Sequence, residues 1–351
     1  MHANDKLIVM ETEKLLVRGF SHEGGSAHTP TSIHDQRPMI NGLRRLYRKY
    51  CILREWNIGI VKAIPGDLEK LVAEGRLGTV TWCPRASPLS SRADPFVWAV
   101  NGDPRVIFEQ IDHWSGRGHI RSLSLPRFSR LQRGRTEIVQ PYHLSYPHIV
   151  PFEGVWYCTP ESARAGGVDL YAWNPEMRSW GFKSRLIHDA RILDATLFRR
   201  ERIWYLFGTL RGDGSYDKLR IWWSNALDGE WRPHARNPVK VDIRSARSAG
   251  PVFEIGGRCY RPAQDCTNGY GRAVTLNRID VLTPTEFSET TVSRVQPDPK
   301  GPYPDGLHTI AVFGDTVLID GRRLGFSTAL VLMKVIRRLA RYSGFSKRSK
   351  Q

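Results

Sequence analysis

A hairpin pattern that recurs about every 50 residues is the strongest constraint on the fold of this chain. Its clearest copy lies at residues 192–209, where two short apolar runs rich in aromatic side chains flank the charged turn RRER. Such runs with a polar break between them are typical of a β-hairpin. Comparable pairs of runs occupy residues 93–109, 145–161, 249–264 and 308–320. Radial repeats of four-stranded blades have this period, so the sequence predicts an all-β, five-bladed β-propeller, with a β-sandwich as the alternative.

Polar residues fall at one end of these hairpins. The first strands begin at Asp94, Pro147, Asp194, Gly250 and His308. The partner strands end at Glu109, Glu161, Thr209, Gln264 with Asp265, and Asp320. Because the first residue of one strand and the last residue of its antiparallel partner lie at the same end, we expect these side chains to ring one mouth of the central channel. Polar side chains that converge on a shared pocket indicate a functional site.

The two ends of the chain differ in composition from the predicted propeller, residues 55–326. We predict an N-terminal extension at residues 1–54, with a flexible loop at 18–37 and a short basic helix at 39–55. The strand at residues 57–61 is expected to close the last blade and to remove a free sheet edge. The sequence shows neither a signal peptide nor a run of membrane-spanning length, so we expect a cytoplasmic protein.

The basic charge balance favours an anionic partner. A formal net charge of +17 suits nucleic acid, a phosphorylated substrate or an anionic membrane surface. The sequence has no zinc-finger spacing, RNA-recognition signature or basic zipper, so nucleic acid is not expected. In the tail, residues 327–351, Leu330, Met333 and Ile336 recur at helical spacing beside basic residues. This pattern predicts a basic amphipathic helix that either lies on the inner face of a membrane or packs on the propeller.

One arginine-rich segment, RSARSAG, stands just before an inner strand. It contains Arg244 and Arg247, and Arg261 lies on the partner strand. Guanidinium groups bind phosphates and carboxylates through two parallel hydrogen bonds. The three arginines therefore either form an anion clamp at the mouth of the pocket or pair with Asp265 or Glu161. No Walker or GxGxxG motif accompanies them, which excludes a nucleotide-binding loop of that type.

A set of short motifs resembles a known family. The motifs are ADPF, HLSYP, DATLF, RSAR-AG and YRPAQDC, followed by a His-Thr pair. Together they resemble the β-propeller domain at the N-terminus of plant glucosamine inositolphosphorylceramide transferases, over residues 55–324. Stand-alone bacterial relatives of that domain tend to belong to surface-polysaccharide synthesis. More distantly, the layout is similar to the five-bladed glycosidases that include arabinanases and β-xylosidases.

The glycosidase resemblance implies a base Asp in the first blade, a pKa-tuning Asp in the third and an acid Glu beside Gly-Pro in the fourth. Asp94 and Asp194 match the first two positions, but Ala249-Gly250-Pro251 stands where the acid would be. An ordinary glycoside needs that acid to protonate a poor leaving group. A phosphate leaves without a proton and needs only positive charge to hold it. The absence of the acid from this sequence therefore favours a sugar transferase with a phosphate-activated donor.

We accordingly predict a glycosyltransferase of surface polysaccharide or glycolipid synthesis. Asp94 is expected to be the general base on an acceptor hydroxyl, with Glu161 or Glu109 as alternatives, and Asp194 to orient the sugar or tune its neighbours. Arg244, Arg247 and Arg261 are expected to stabilise the departing phosphate. The remaining predicted substrate contacts are Tyr146, His148, Gln264, Asp265 and His308.

The expected donor is a nucleotide sugar or phosphoribosyl pyrophosphate, and the expected acceptor is a glycan or a lipid-linked glycan. No metal site is predicted, because the histidines and cysteines lack ligand spacing. A divalent cation is expected only together with a pyrophosphate donor. Two rival functions stay open: a glycoside hydrolase in which Glu109 or Glu161 replaces the missing acid, and a non-catalytic glycan-binding propeller.

Overall fold

The structure, a computed structural model, divides the chain into two compact units. One unit is Trp56–Arg322, and the other combines Met1–Glu55 with Arg323–Gln351. The described residues are 52–85, 87, 89–100, 102–125, 134–329, 331–333, 336 and 339. The predicted N-terminal loop and most of the predicted helix at 39–55 lie outside them. The helix prediction is wrong for residues 52–55, which belong to a strand.

The chain begins with elements that serve the last blade, and then builds blades one to four in order. The first elements are β1 (Ile52–Lys62), helix α1 (Asp67–Glu74) and β2 (Thr81–Trp82). Blade one contains β3 (Ser90–Val100), β4 (Asp103–Asp112), β5 (Arg117–Ser124) and β6 (Arg135–Ile138). Blade two contains β7 (Ser145–Phe152), β8 (Val155–Glu161), β9 (Val168–Asn174) and β10 (Ser179–Ile187).

Blades three and four follow the same antiparallel order. Blade three contains β11 (Ile192–Arg200), β12 (Ile203–Leu210), β13 (Lys218–Ser224) and β14 (Arg232–Pro233), with the short β15 (Lys240–Val241) also paired to β13. Blade four contains β16 (Phe253–Ile255), β17 (Arg258–Asp265), β18 (Ala273–Leu282) and β19 (Phe287–Val295).

The fifth blade joins the two ends of the propeller. Its sheet order is β2-β1-β21-β20, where β20 is Ile310–Phe313 and β21 is Thr316–Phe326. The predicted five-bladed propeller and its N-terminal closing strand are therefore confirmed. The closure uses two early strands rather than one, because β2 also pairs with β1 through Gly59 and Trp82. In this order β1 covers the edge of β21, and β2 covers the edge of β1.

Hydrophobic side chains fill the spaces between neighbouring blades. In the described part of the chain, five buried clusters each join strands of two adjacent blades, including blades five and one. Between blades one and two, Trp98 packs against Trp173 and Trp180 with ring centroids 4.4 and 5.0 Å apart. Large aromatic rings bury much apolar surface, so these contacts fix the angle between blades.

A repeated distortion marks the channel end of the first strands. In blades one, two and three, the pairing of the first strand with the second slips by one residue. The residues at the slip, Asp94, Tyr146 and Asp194, have φ values of 51°, 43° and 50°. Gly250, with φ 135°, stands at the matching place in blade four. Such bulges turn a side chain out of the pleat and are common beside active sites. The prediction of Pro147 as the blade-two counterpart of Asp94 is wrong, because Tyr146 occupies that position.

The predicted C-terminal helix is confirmed for the residues that are described. Residues 328, 329, 331–333, 336 and 339 are helical. Met333 is buried, whereas Leu332, Ile336 and Leu339 are exposed. The basic residues of this helix lie outside the described residues, so membrane binding by the tail stays a prediction. None of the described helices is both long and apolar enough to span a membrane. The predicted domain boundaries also stay predictions.

Candidate functional site

The channel ends of the strands open onto a cavity of about 340 Å³ within the Trp56–Arg322 unit. Six of the twelve predicted site residues line it: Asp94, Glu109, Glu161, Asp194, Arg247 and His308. Side chains that sequence reasoning did not select also line it, among them Trp56, His143, Arg164, Arg211 and Tyr270. The hairpin geometry therefore brings acidic groups from blades one, two and three together with a blade-four arginine, as the sequence predicts.

Asp94 lies in a dense network at the blade-five side of the cavity. Its Oδ1 accepts a hydrogen bond from Thr309 Oγ1 at 2.9 Å, and its Oδ2 accepts one from the Tyr146 amide at 3.1 Å. His308 Nε2 is 3.5 Å from Asp94 Oδ1, while His308 Nδ1 is 2.6 Å from Asp320 Oδ2. An imidazole between two carboxylates is stabilised in its charged form. The pKa of His308 is accordingly raised to about 9 by Asp320 and Asp94, against the effect of its burial.

Burial sets the proton affinity of Asp94. It raises the pKa of Asp94 to about 7, with further upward contributions from the carboxylates of Glu109, Asp320 and Asp194 and an opposing contribution from His308. A carboxylate with a pKa near the working pH can both take and release a proton. Asp94 therefore has the proton affinity that a general base requires.

Asp194 is held on the other side of the cavity by fixed donors. Arg247 Nε donates to its Oδ2 at 2.6 Å and Arg247 Nη2 to its Oδ1 at 3.3 Å. Gln264 Nε2 donates to Oδ2 at 3.0 Å. Both Arg247 and Gln264 are buried. Gln264 therefore orients Asp194 from beneath the cavity rather than lining the cavity itself.

Glu161 lies beside this pair. Burial and the neighbouring Asp194 hold the pKa of Glu161 well above its usual range. Arg247 Nη2 lies 3.9 Å from Glu161 Oε2 and only partly offsets this effect. A carboxyl group with raised proton affinity is suited to donate a hydrogen bond or a proton. The cavity therefore contains a carboxyl group of this kind, although not at the position from which the glycosidase pattern takes its acid.

In blade four, Ala249 stands where the glycosidase pattern has its acid, and its neighbour Gly250 fixes the backbone there. A Cβ on Gly250 would lie 1.9 Å from the carbonyl oxygen of Ile310, so Gly250 has no room for a side chain. The Gly250 amide donates to Tyr146 Oη at 2.8 Å. Ala249 is buried in the hydrophobic cluster between blades four and five. Tyr146 is therefore a buried structural link between blades two and four and does not line the cavity.

Glu109 faces a histidine that sequence reasoning missed. His143 Nε2 is 3.1 Å from Glu109 Oε1, and His143 Nδ1 accepts a hydrogen bond from the Gly118 amide at 2.8 Å. Because Nδ1 is an acceptor, the proton of the neutral ring lies on Nε2, the nitrogen that is 3.1 Å from Glu109. The HLSYP motif contained His143, but it gave no signal that this side chain would face a carboxylate from the preceding blade.

Two arginines add uncompensated positive charge at the cavity. Arg164 follows β8 and Arg211 follows β12, and both are exposed. In the described part of the chain, neither guanidinium has a carboxylate within ion-pair distance. The positive charge of these two guanidinium groups at the mouth of the cavity favours an anionic ligand.

Aromatic rings complete the wall near Arg247. Its guanidinium carbon lies 5.0 Å from the ring centroid of Tyr270 and 5.5 Å from that of Tyr216. Tyr270 sits in the loop NGYGR, where Gly269 and Gly271 have φ values of 101° and 65°. These glycines allow the tight turn that brings Tyr270 into the cavity. In the sequence, only the position of Tyr270 between two glycines indicated a tight turn at this place.

Four predicted substrate contacts lie away from the cavity. Arg244 is exposed and pairs with Asp242, and Asp265 pairs with Arg294 at 2.7 Å. Arg261 is fully buried and binds both oxygens of Glu289, at 2.9 and 2.6 Å.

His148 is also buried, and its Nε2 donates to the Leu197 carbonyl at 2.9 Å. Burial lowers the pKa of His148 to about 4, so the ring is neutral. These placements argue against the predicted substrate roles of Arg244, Asp265, Arg261 and His148.

Asp94, His308 and Asp320 form a cluster of residue types that can bind a metal ion. One ligand-type atom from each residue lies within 4.8 Å of the others. Both imidazole nitrogens already face carboxylates. The Asp320 oxygens also accept backbone hydrogen bonds from His308, Thr309 and Asp94. An ion could enter only by breaking these contacts, so the cluster fits an ion-pair network better than a metal centre.

Among solved structures, the chain is similar to glycoside hydrolases. An α-L-arabinofuranosidase from Podospora anserina in complex with cellotriose is 12% identical, with a TM-score of 0.48, over 65% of this chain and 78% of that one. A family 117 glycoside hydrolase produced by the marine bacterium Zobellia galactanivorans is 13% identical, with a TM-score of 0.46, over 79% of this chain and 92% of that one.

Sequence relatives match more closely. The chain is 31% identical over 260 residues to glucosamine inositolphosphorylceramide transferase 1 of Oryza sativa subsp. japonica, and 30% identical over 211 residues to that of Arabidopsis thaliana. These alignments cover 68% and 58% of this chain but only 35% and 28% of the relatives, so the chain spans about a third of their length. The family model described as "Glucosamine inositolphosphorylceramide transferase 1, N-terminal" matches residues 72–302. The chain therefore belongs to the family defined by the N-terminal domain of these transferases.

Proposed function

We propose that this propeller is a glycosyltransferase that moves a sugar from a phosphate-activated donor to a hydroxyl of a glycan or lipid-linked acceptor. The observation that carries the proposal is the composition of one cavity. Asp94 there has the proton affinity of a base, and the unpaired Arg164 and Arg211 provide positive charge for a phosphate. The names of the plant relatives agree with sugar transfer to a glycolipid, but the chain matches only about a third of those proteins.

In the proposed step, the acceptor oxygen forms a bond to the anomeric carbon of the donor sugar. The acceptor proton passes to an Asp94 oxygen, and the bond between the anomeric carbon and the phosphate oxygen breaks with its electron pair on the phosphate. Arg164 and Arg211 stabilise the charge that develops there. Asp194, fixed by Arg247 and Gln264, orients the sugar. Arg244 and Arg261, which the sequence predicts for this role, pair instead with Asp242 and Glu289. Arg164 and Arg211, the two rim arginines, take their place.

The donor is proposed to be a nucleotide sugar or phosphoribosyl pyrophosphate. A lipid-linked acceptor would agree with a membrane role of the basic tail and with a position at the cytoplasmic face of a membrane. Each of these is a proposal that a separate assay must test.

The test is a donor screen followed by a transfer assay. Purified protein is heated with nucleoside diphosphate sugars and phosphoribosyl pyrophosphate, with and without Mg²⁺, because a bound donor raises the unfolding temperature. Donors that stabilise the protein are then incubated with oligosaccharide or lipid-linked acceptors, and release of the phosphorylated leaving group is followed by ³¹P NMR. We expect release that depends on the acceptor.

The matched pair of variants is Asp94→Asn and Asp103→Asn. Asp103 is an exposed carboxylate at the opposite end of the same hairpin. We expect Asp94→Asn to abolish transfer and Asp103→Asn to leave it unchanged. Equal activity in both variants would remove Asp94 from the mechanism.

A second candidate function is glycoside hydrolysis, and the burial of Glu161 beside Asp194, which raises the pKa of Glu161, is the observation that favours it. A carboxylic acid and a carboxylate around one sugar are the groups that hydrolysis needs. This function predicts release of free sugar from an unphosphorylated oligosaccharide, with loss of that release in Glu161→Gln. Sugar release without any phosphorylated donor would replace the transferase proposal.

A further inference from the structure

His308 lines the cavity, and both of its ring nitrogens face carboxylates. Its Nδ1 is 2.6 Å from Asp320 and its Nε2 is 3.5 Å from Asp94. The side chain is almost fully buried. This arrangement suits a role within the carboxylate network better than the predicted contact with a sugar hydroxyl.

Asp320 fixes the backbone on both sides of this histidine. It is fully buried on β21. Its Oδ1 accepts from the amides of His308 and Thr309, each at 3.0 Å, and its Oδ2 accepts from the amide of Asp94 at 3.0 Å. A carboxylate with several donors stays ionised. The same side chain thus sets the positions of Asp94 and His308 relative to one another across blades one and five.

Aromatic rings hold the imidazole plane. Trp56 stacks on His308 with ring centroids 4.0 Å apart and planes 24° apart, and the Tyr270 ring meets His308 edge-on at 5.2 Å. A Cβ on Gly271 would lie 2.8 Å from Trp56, so this glycine makes the stacking possible. The ring cannot turn away from the two carboxylates without losing these contacts.

We propose that His308 and Asp320 are positioning residues for Asp94: buried Asp320 holds a charged imidazole whose second nitrogen keeps Asp94 ionised and oriented toward the acceptor hydroxyl. The proposal deepens the proposed function and rests on its assignment of Asp94 as the base. His308 transfers no proton in this scheme. The acceptor proton ends on Asp94, and the positive charge of His308 limits how far burial can raise the proton affinity of Asp94.

The charged groups around Asp94 and His308 agree with this effect of the His308 charge on Asp94. Burial raises the pKa of Asp94, the carboxylates of Glu109, Asp320 and Asp194 raise it further, and the charge of His308 lowers it. Around His308, the groups that act on its charge are the same Asp320, Asp94 and Asp194, and all of them favour the imidazolium. Removal of the imidazolium therefore leaves Asp94 facing only like charges.

The first measurement needs no turnover. In the full-length protein, ¹⁵N NMR of the histidine rings should show both nitrogens of His308 protonated at pH 7.5, while neutral His148 serves as the reference in the same spectrum. A neutral His308 at that pH would overturn the proposal. Because this experiment uses no donor, it tests the positioning pair even where the transferase assay fails.

The second measurement compares variants. In His308→Gln, the ¹³C carboxyl titration of Asp94 should move up by roughly one to three pH units, because a nearby opposite charge is lost. In the transfer assay, the acidic limb of the rate profile should move with it, and kcat should fall while KM for the donor stays unchanged. An Asp94 titration that stays unchanged in a folded His308→Gln protein would contradict the proposal.

Two further variants separate positioning from folding. His308→Lys retains a cation and should restore part of the Asp94 titration shift, whereas His234→Gln alters a buried histidine outside the cavity and should change neither readout. Should His308→Gln fail to fold, the wild-type ¹⁵N experiment still decides whether the imidazolium is present.

Discussion

The two sides of the cavity use the same backbone distortion to present a buried aspartate, but they give it different partners. Asp94 and Asp194 have nearly equal φ values, 51° and 50°, at matching bulges of blades one and three. Asp94 faces a titratable cation, His308, whereas Asp194 is bound by two nitrogens of Arg247. One aspartate is therefore set to exchange a proton, and the other is held as a fixed anion. The repeated blade places the two aspartates at equivalent positions, and the cation that each one faces determines its chemical role.

The largest effects that test the different roles of Asp94 and Asp194 come from neutralising each aspartate in turn. Asp94→Asn should lower transfer by about 10²- to 10⁴-fold, the usual contribution of a general base. Asp194→Asn should instead lower the unfolding temperature, because Arg247 would remain buried without its closest counterion. Activity and thermal unfolding are measured on both variants. Similar losses of stability in the two would show that the sides do not differ in role.

Removal of the fixed cation should destabilise the fold strongly. Arg247→Gln leaves Asp194 and Glu161 buried without positive charge, and breaking a buried pair in this way typically costs about 3–5 kcal/mol. Urea denaturation gives the change in the free energy of unfolding. The exposed pair of Arg232 and Glu230 offers a control, since solvent screens this pair and Arg232→Gln should leave that free energy nearly unchanged. A cost for Arg247→Gln as small as that of the control would contradict the role given to it.

The titratable cation predicts a pH dependence of stability. The pKa of His308 is raised from 6.5 to about 9 in the folded state, so its stabilising effect is complete below pH 6.5 and disappears as the pH rises through 9. The expected loss is about 3 kcal/mol. The raised pKa of Asp94, about 7, acts in the same direction at lower pH. Urea denaturation between pH 6 and 10 should show the loss, and the double variant Asp94→Asn/His308→Gln, which removes both titrations, should flatten the profile between pH 7 and 10.

The smallest expected effects are those of the rim arginines. Arg164→Gln and Arg211→Gln should each weaken donor binding by about tenfold, since a charge-assisted hydrogen bond contributes about 1.5–3 kcal/mol. Arg244→Gln is the matched control, because this exposed arginine lies outside the cavity. Calorimetric titration with the donor at two salt concentrations measures the effect, and a salt-independent affinity would argue against an ionic contact.

The repeated hairpins made the blades predictable from sequence. The exact pairing register of the strands in each hairpin was not predictable. The hairpins, the closing strand and the convergence of Asp94, Asp194, Glu109 and Glu161 follow from alternating apolar runs and turn positions. The bulges occur at non-glycine residues with positive φ, a conformation that side chains disfavour. The sequence pattern therefore placed Pro147 at the position that Tyr146 occupies in the structure.

The arginine contacts were the least predictable part of the site. Arg261 and Arg247 look alike in sequence, and only the fold places Glu289 beside one and Asp194 beside the other. His143 and Tyr270 enter the cavity from loops, whose paths depend on contacts between different blades. A pattern within one hairpin carries no information about such contacts.

The most direct test of the central claim is a crystal structure of the protein with an unreactive phosphonate analogue of the donor found in the screen. We expect the phosphonate on Arg164 and Arg211, the sugar against Asp194, and an acceptor hydroxyl within about 3 Å of Asp94. Binding of the analogue outside this cavity, or with its phosphonate directed away from both rim arginines, would contradict the claim.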